Sequence, residues 1–166
     1  MDAGPGAYRL AVDLGTCHTV AVVRRGDEPP RALLFDGSPL LPSAVYVEAD
    51  GSILTGRDAV HSARLQPHRF EPYPKRHIED GTVWLGDREI ASVDLIASVL
   101  RRVATEALRV AGGVPGAVTV THPAAWGGQR REALSRATRA AASTSASVTS
   151  SVNGGRRVLM LRHMPS

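Results

Sequence analysis

The 166-residue sequence has one cysteine, one lysine and no apolar stretch approaching the length of a membrane helix. The single thiol, Cys17, excludes an internal disulfide and leaves no ligand cluster for structural zinc. A bilayer-spanning helix needs roughly 20 apolar residues. The first residues, MDAGPGAYR, offer neither a basic start nor a signal core. The expectation is therefore a cytoplasmic protein with no membrane partner. Acidic residues stop at Glu132, and no aromatic residue follows it. Residues 1–132 carry 15 Lys+Arg against 16 Asp+Glu, whereas residues 133–166 carry five arginines and no acid, so the pI near 10 arises in the tail. Arginines without interleaved aromatics touch phosphate backbones non-specifically and provide no stacking platform, so no specific nucleic-acid partner is expected.

What remains is ordinary for a globular protein: 43% hydrophobic and 22% charged residues in a length sufficient for one core. There is no internal repeat. Apolar runs at 8–14, 19–23 and 31–35, joined by short turns, predict an antiparallel meander. Residues 44–48 and 52–55 predict a hairpin, and 56–64 a short helix. A proline-rich stretch through Pro67, Pro72 and Pro74 disfavours long regular structure. From Ser92 the period changes: Val93, Ile96, Val99, Leu100, Val103, Ala107 and Leu108 fall on one helical face, closed by Gly112 and Gly113. Residues 117–121 read as a buried strand and 129–138 as the start of another helix. A meander, a long helix and a further strand indicate a mixed sheet in an α/β protein. Beyond about residue 140 the texture turns to Ser, Thr, Ala and Arg without apolar periodicity. The domain reading is thus a folded lobe over 1–140 and a disordered basic tail over 141–166.

The chemistry concentrates in Asp13, Gly15, Thr16, Cys17 and His18, between the first two strands. A tight turn built on Gly15 can aim successive backbone amides at one phosphate. Thr16 adds a hydroxyl, and Asp13 can hold the water shell of magnesium, a hard cation that keeps its waters. The same residues also suit an ordinary hairpin in which Asp13 and Thr16 satisfy turn amides. None of the six histidines has a partner at metal-ligand spacing, so His18 reads as a loop side chain and Cys17 as a packed thiol.

The segment AVDLGTCHTVAV (residues 11–22) resembles the first phosphate loop of the actin, sugar-kinase and heat-shock-70 superfamily. LPSAVYV (41–47), PKRHI (74–78), and VTVTHPAAW (118–126) with QRRE (129–132) follow in the order of the heat-shock 70 (DnaK-like) branch. The resemblance covers residues 8–138 and implies the amino-terminal lobe of an actin-like, ribonuclease H-like ATPase domain, incomplete, with a mixed sheet flanked by helices. It implies ATP or ADP and magnesium as ligands and Lys75 and Asp13 as catalytic residues. It also implies phosphate contacts from Gly15, Thr16, Cys17 and His18, although Cys17 and His18 replace residues often Thr and Tyr or Asn. Lys75 is the only lysine in an arginine-rich chain, and a compact ammonium approaches a γ-phosphate as a point charge. The alternative for it is a solvated surface lysine. Pro123 and Arg130 resemble the pair that couples nucleotide state to a peptide-binding domain. Their spacing is one residue short of the family's, so Arg130 or Arg131 could hold that role, or both could be wet helix-start arginines.

The implied function is ATP-dependent protein folding, with unfolded client peptides and cochaperones as partners. No peptide-binding domain, second phosphate loop or adenosine lobe is visible in the sequence. Hence the expectation of a truncated or frameshifted product, an ATPase by resemblance with half of its active site absent and weak or inactive in hydrolysis alone. The rivals are an actin-fold sugar kinase fragment and a non-catalytic actin-like adaptor or assembly protein.

Overall fold

In a computed structural model, residues 7–142, 146–153 and 156–163 are described, with side chains described over 7–142. β1 (Tyr8–Leu14) and β2 (His18–Arg25) pair antiparallel from Tyr8↔Arg25 to Leu14↔Thr19. β1 alternates between buried and more exposed positions and puts Tyr8, Leu10, Val12 and Leu14 into the core. This is the period-two pattern of a strand with its apolar side chains on one face. β3 (Arg31–Ala32) pairs with β2 and completes the expected meander with a shorter third strand, and β4 (Leu41–Pro42), which the sequence did not signal, also pairs with β2. β5 (Val45–Val47) and β6 (Ile53–Thr55) form the expected hairpin and lead into α1 (Arg57–Ser62). β7 (Phe70–Glu71) then adds to β5.

Between the proline-rich stretch and the long helix lies a hairpin that periodicity did not signal, β8 (Thr82–Leu85) and β9 (Arg88–Ala91). Its two-residue turn places Gly86 at φ 67°, a conformation that glycine adopts without a Cβ penalty. α2 (Ser92–Ala111) follows and stops at Gly112, also at φ 67°. The helix buries Leu95, Ile96, Val99, Leu100, Val103 and Ala107. Leu108, assigned to the same face by spacing, is 52% exposed.

β10 (Ala117–His122) returns parallel to β1, aligning Val12 with Val120 and Asp13 with Thr121. The sheet is therefore mixed, as expected. α3 (Gly128–Ala142) packs on α2 and buries Ala133, Leu134, Ala137 and Ala141 in the core, its alanines being small enough to permit close approach. β11 (Ala146–Asn153) and β12 (Arg156–His163) pair with each other, and β12 pairs with β10. The full order is β11-β12-β10-β1-β2-β3, with β4 also on β2. β11 and β12 fall within residues 141–166, the segment set apart by its Ser, Thr, Ala and Arg texture. A strand edge offers backbone donors and acceptors whatever side chains come to it, and Val158 to Leu161 is a short apolar run that suits pairing.

Candidate functional site

Three residues, 15–17, turn the chain from β1 into β2. A Cβ at Gly15 would lie 2.0 Å from the His18 carbonyl oxygen, so the closeness of this turn requires glycine. Cys17 and His18 are exposed at its rim, so Cys17 is not the packed thiol that the sequence suggested: a three-residue turn at the sheet end leaves its side chain uncovered. Parallel pairing of β1 with β10 sets Asp13 opposite Thr121, and the Thr121 hydroxyl donates to Asp13 Oδ1 at 2.7 Å. Asp13 is thereby held at the carboxyl ends of two parallel strands, where ligands of open α/β sheets collect.

Lys75 approaches from another quarter of the sequence. It stands in a 3₁₀ turn, Pro74–His77, which packs on α2 and buries Pro74, with Ile78 next to it 5% exposed. Its ammonium donates to the Leu14 carbonyl at 2.5 Å, one residue past Asp13, and lies 5.1 Å from the centre of the Trp126 ring. Aromatic faces attract cations at that separation. Trp126 in turn stacks on His122, with ring centroids 6.0 Å apart and planes at 14°. His122 is buried, with Nδ1 donating to the Pro123 carbonyl at 3.0 Å and Nε2 without a partner among the described residues.

The Lys75 turn is clamped by His77. Its Nδ1 faces Asp80 Oδ2 at 2.6 Å and its Nε2 faces Glu71 Oε2 at 3.0 Å. Burial disfavours the imidazolium, but hydrogen bonds and charge from Asp80 and Glu71 outweigh it and raise the His77 pKa above its ordinary value. Both ring nitrogens can donate to carboxylates only in the protonated form, so this geometry favours the imidazolium.

Thr16, Lys75, Arg76, Ile78, Pro123, Trp126 and Arg130 line one cavity of about 300 Å³. The sequence singled out Thr16, Lys75, Pro123 and Arg130, and the fold brings them together. Arg131 does not line it, while Arg130 does and donates from Nε to Glu79 Oε2 at 2.7 Å. Sequence reasoning missed Trp126, which lines the cavity, and Thr121, which holds Asp13. Trp126 was quoted only as the end of a motif, and the pairing of Thr121 with Asp13 depends on a strand register that spacing does not encode. A second cavity of similar volume, between the sheet and the α2–α3 pair, is lined mainly by apolar residues and contains none of these side chains. Among the described residues no three acidic, histidine or cysteine side chains gather as a metal site.

Chaperone protein DnaK from each of two strains of Halobacterium salinarum is 32% identical to the chain over 126 residues, 75% of the chain and 20% of the relative. The chain is related to the heat-shock 70 chaperones. It spans about a fifth of the length of these DnaK relatives. No protein-family model matches it. The mixed sheet with helices packed on it agrees with a partial actin-like ATPase lobe, as a heat-shock 70 relationship requires. No described helix is long and apolar enough to cross a membrane.

Proposed function

We propose that the chain supplies one wall of a nucleotide site of the heat-shock 70 type, taking ATP or ADP by the phosphates over the 15–18 turn. The observation that carries this reading is the convergence of Thr16, Lys75, Pro123 and Arg130, from four separate segments, on one cavity beside the Gly15 turn. The donor set fits a phosphate. The turn is so tight that a Cβ at Gly15 would strike backbone, and a cation and a hydroxyl share the cavity next to it. Asp13 would hold magnesium through water, in keeping with an ion that retains much of its hydration and a site with no ligand cluster among the described residues. Bound magnesium would neutralise developing phosphate charge.

In this reading Lys75 and Asp13 are the catalytic residues, Gly15, Thr16, Cys17 and His18 the phosphate contacts, and Pro123 with Arg130 the coupling pair. Lining the cavity favours Arg130 over Arg131 for that role. ATP-driven folding of client peptides with cochaperones, in the cytoplasm, is proposed for the longer protein type to which the chain is related. The sugar kinase and adaptor readings draw no support from the DnaK relationship. The described residues supply one side of a triphosphate site, and phosphoryl transfer depends on enclosing and aligning the reactants. Binding without appreciable hydrolysis is therefore proposed for the isolated chain.

Titration calorimetry with magnesium and ATP tests the site. Gly15→Val should abolish binding, because a branched side chain has no room, whereas Cys17→Ser keeps the backbone path and should bind as the wild type does. Equal affinities for the two variants would remove the turn from the site.

A further inference from the structure

We propose that Ser43 is a positioning residue of the phosphate loop, fixing the direction in which the Thr16 and His18 amides point; this rests on the nucleotide reading above. Ser43 follows β4 and is fully buried. It holds the 15–18 turn at two places. Its backbone N–H donates to the Cys17 carbonyl at 2.9 Å, and its hydroxyl donates to the Gly15 carbonyl at 2.9 Å. The Thr19 hydroxyl, also buried, lies 2.9 Å from Ser43 Oγ. Since the single Ser43 hydroxyl proton goes to Gly15, Thr19 must be the donor in that contact. Two hydroxyl groups and one amide thus form a chain ending on the loop carbonyls.

The consequence follows from peptide geometry. In a trans peptide the carbonyl of one residue and the N–H of the next point in opposite directions across a rigid plane. Anchoring the Gly15 carbonyl toward Ser43 turns the Thr16 N–H away from Ser43, and anchoring the Cys17 carbonyl does the same for the His18 N–H. An anion cradle needs successive N–H groups presented on one side while their carbonyls are satisfied on the other. Ser43 provides that other side from a single residue. Alanine keeps the amide contact and loses the hydroxyl, which frees one of the two peptide planes and leaves the buried Thr19 hydroxyl without its acceptor.

The test compares wild type, Ser43→Ala and Ser43→Cys for affinity to magnesium–ATP and to magnesium–tripolyphosphate, with amide hydrogen exchange read residue by residue. Losing one hydrogen bond of ordinary strength corresponds to about a fivefold to tenfold loss of affinity, expected for Ser43→Ala with both probes because both are held by phosphates. With magnesium–ATP bound, exchange should be faster in Ser43→Ala than in wild type at Thr16 and His18, whose N–H groups the phosphates would protect, while Val12 and Val20 in the flanking strands keep their protection. A merely structural role would instead speed exchange through the strands. Ser43→Cys, close in size and a weak donor, should fall between, and it carries the test if Ser43→Ala does not fold. Wild-type affinity in a folded Ser43 variant, or loosening spread evenly over the strands, overturns the positioning role while leaving the nucleotide reading intact. Failure of the wild type to bind either probe overturns the nucleotide reading itself, and this proposal with it.

Discussion

Lys75 shows how much one side chain depends on its surroundings. Its ammonium is drawn to the Leu14 carbonyl and to the face of Trp126, two contacts that a compact charge makes at once. A guanidinium is broader and planar, and directs its donors in a fixed fork. Lys75→Ala is expected to lower affinity for magnesium–ATP by about tenfold, the scale of a charge-assisted hydrogen bond, and Lys75→Arg should restore little of it; titration calorimetry distinguishes the two. Recovery of full affinity with arginine would show that only charge matters there. His77 gives a pH prediction. Its folded pKa is raised above 6.5, so its clamp with Asp80 and Glu71 contributes fully below that value and is lost as pH rises through the folded pKa. Thermal unfolding followed from about pH 6 to 8.5, the range where histidine titrates, should show this loss in the wild type and not in His77→Gln. An unchanged pH dependence in the variant would remove His77 as its source. Lys75 was legible in the sequence because lysine is so rare there. Its contacts were not, since Leu14 and Trp126 come from distant segments.

At the scale of elements, α2 is the piece on which the site rests. It packs against the sheet, α3 and the 3₁₀ turn bearing Lys75, with Leu95, Ile96 and Val99 fully buried. Leu95→Ala should cost about 2–5 kcal/mol, the range for deleting a buried leucine side chain, measured by urea unfolding. A smaller loss would mean that the contact with the Lys75 turn and sheet relaxes around the cavity. Helix period identified α2 well because a single apolar stripe repeats over many turns. It placed Leu108 inside wrongly, because the stripe outlasts the surface it covers near the carboxyl end of α2. The β8–β9 hairpin escaped notice since only Leu85 in it is buried, so alternation was weak. Glu106 illustrates the opposite case, a buried acid. The hydrogen bond from Arg109 outweighs its desolvation and lowers its pKa, with Arg102 adding charge. That stabilisation is present above the ordinary glutamate value and is lost as pH falls through the lowered one.

For the molecule as a whole, the expected behaviour is phosphate binding with negligible turnover. Single-turnover hydrolysis with the isolated chain should give no appreciable product, and Lys75→Ala should change that little. Turnover that depends on Lys75 would mean that the described wall suffices, or that a second wall is supplied by another copy. The sequence by itself determined the α/β class, the meander, the long helix and the glycine turn, because each follows from local period and backbone sterics within a short window. It also pointed to Asp13, Thr16, Lys75, Pro123 and Arg130 one by one. Only the tertiary structure decided that Thr16, Lys75, Pro123 and Arg130 share a cavity, that Arg130 rather than Arg131 lines it, and that Trp126, Thr121 and Ser43 contact Lys75, Asp13 and the 15–18 turn from distant segments. The physical reason is range. Periodicity and turn chemistry are set by neighbours along the chain, whereas these contacts depend on the parallel register of β10 on β1 and on the packing of a 3₁₀ turn against α2, which join segments far apart in sequence.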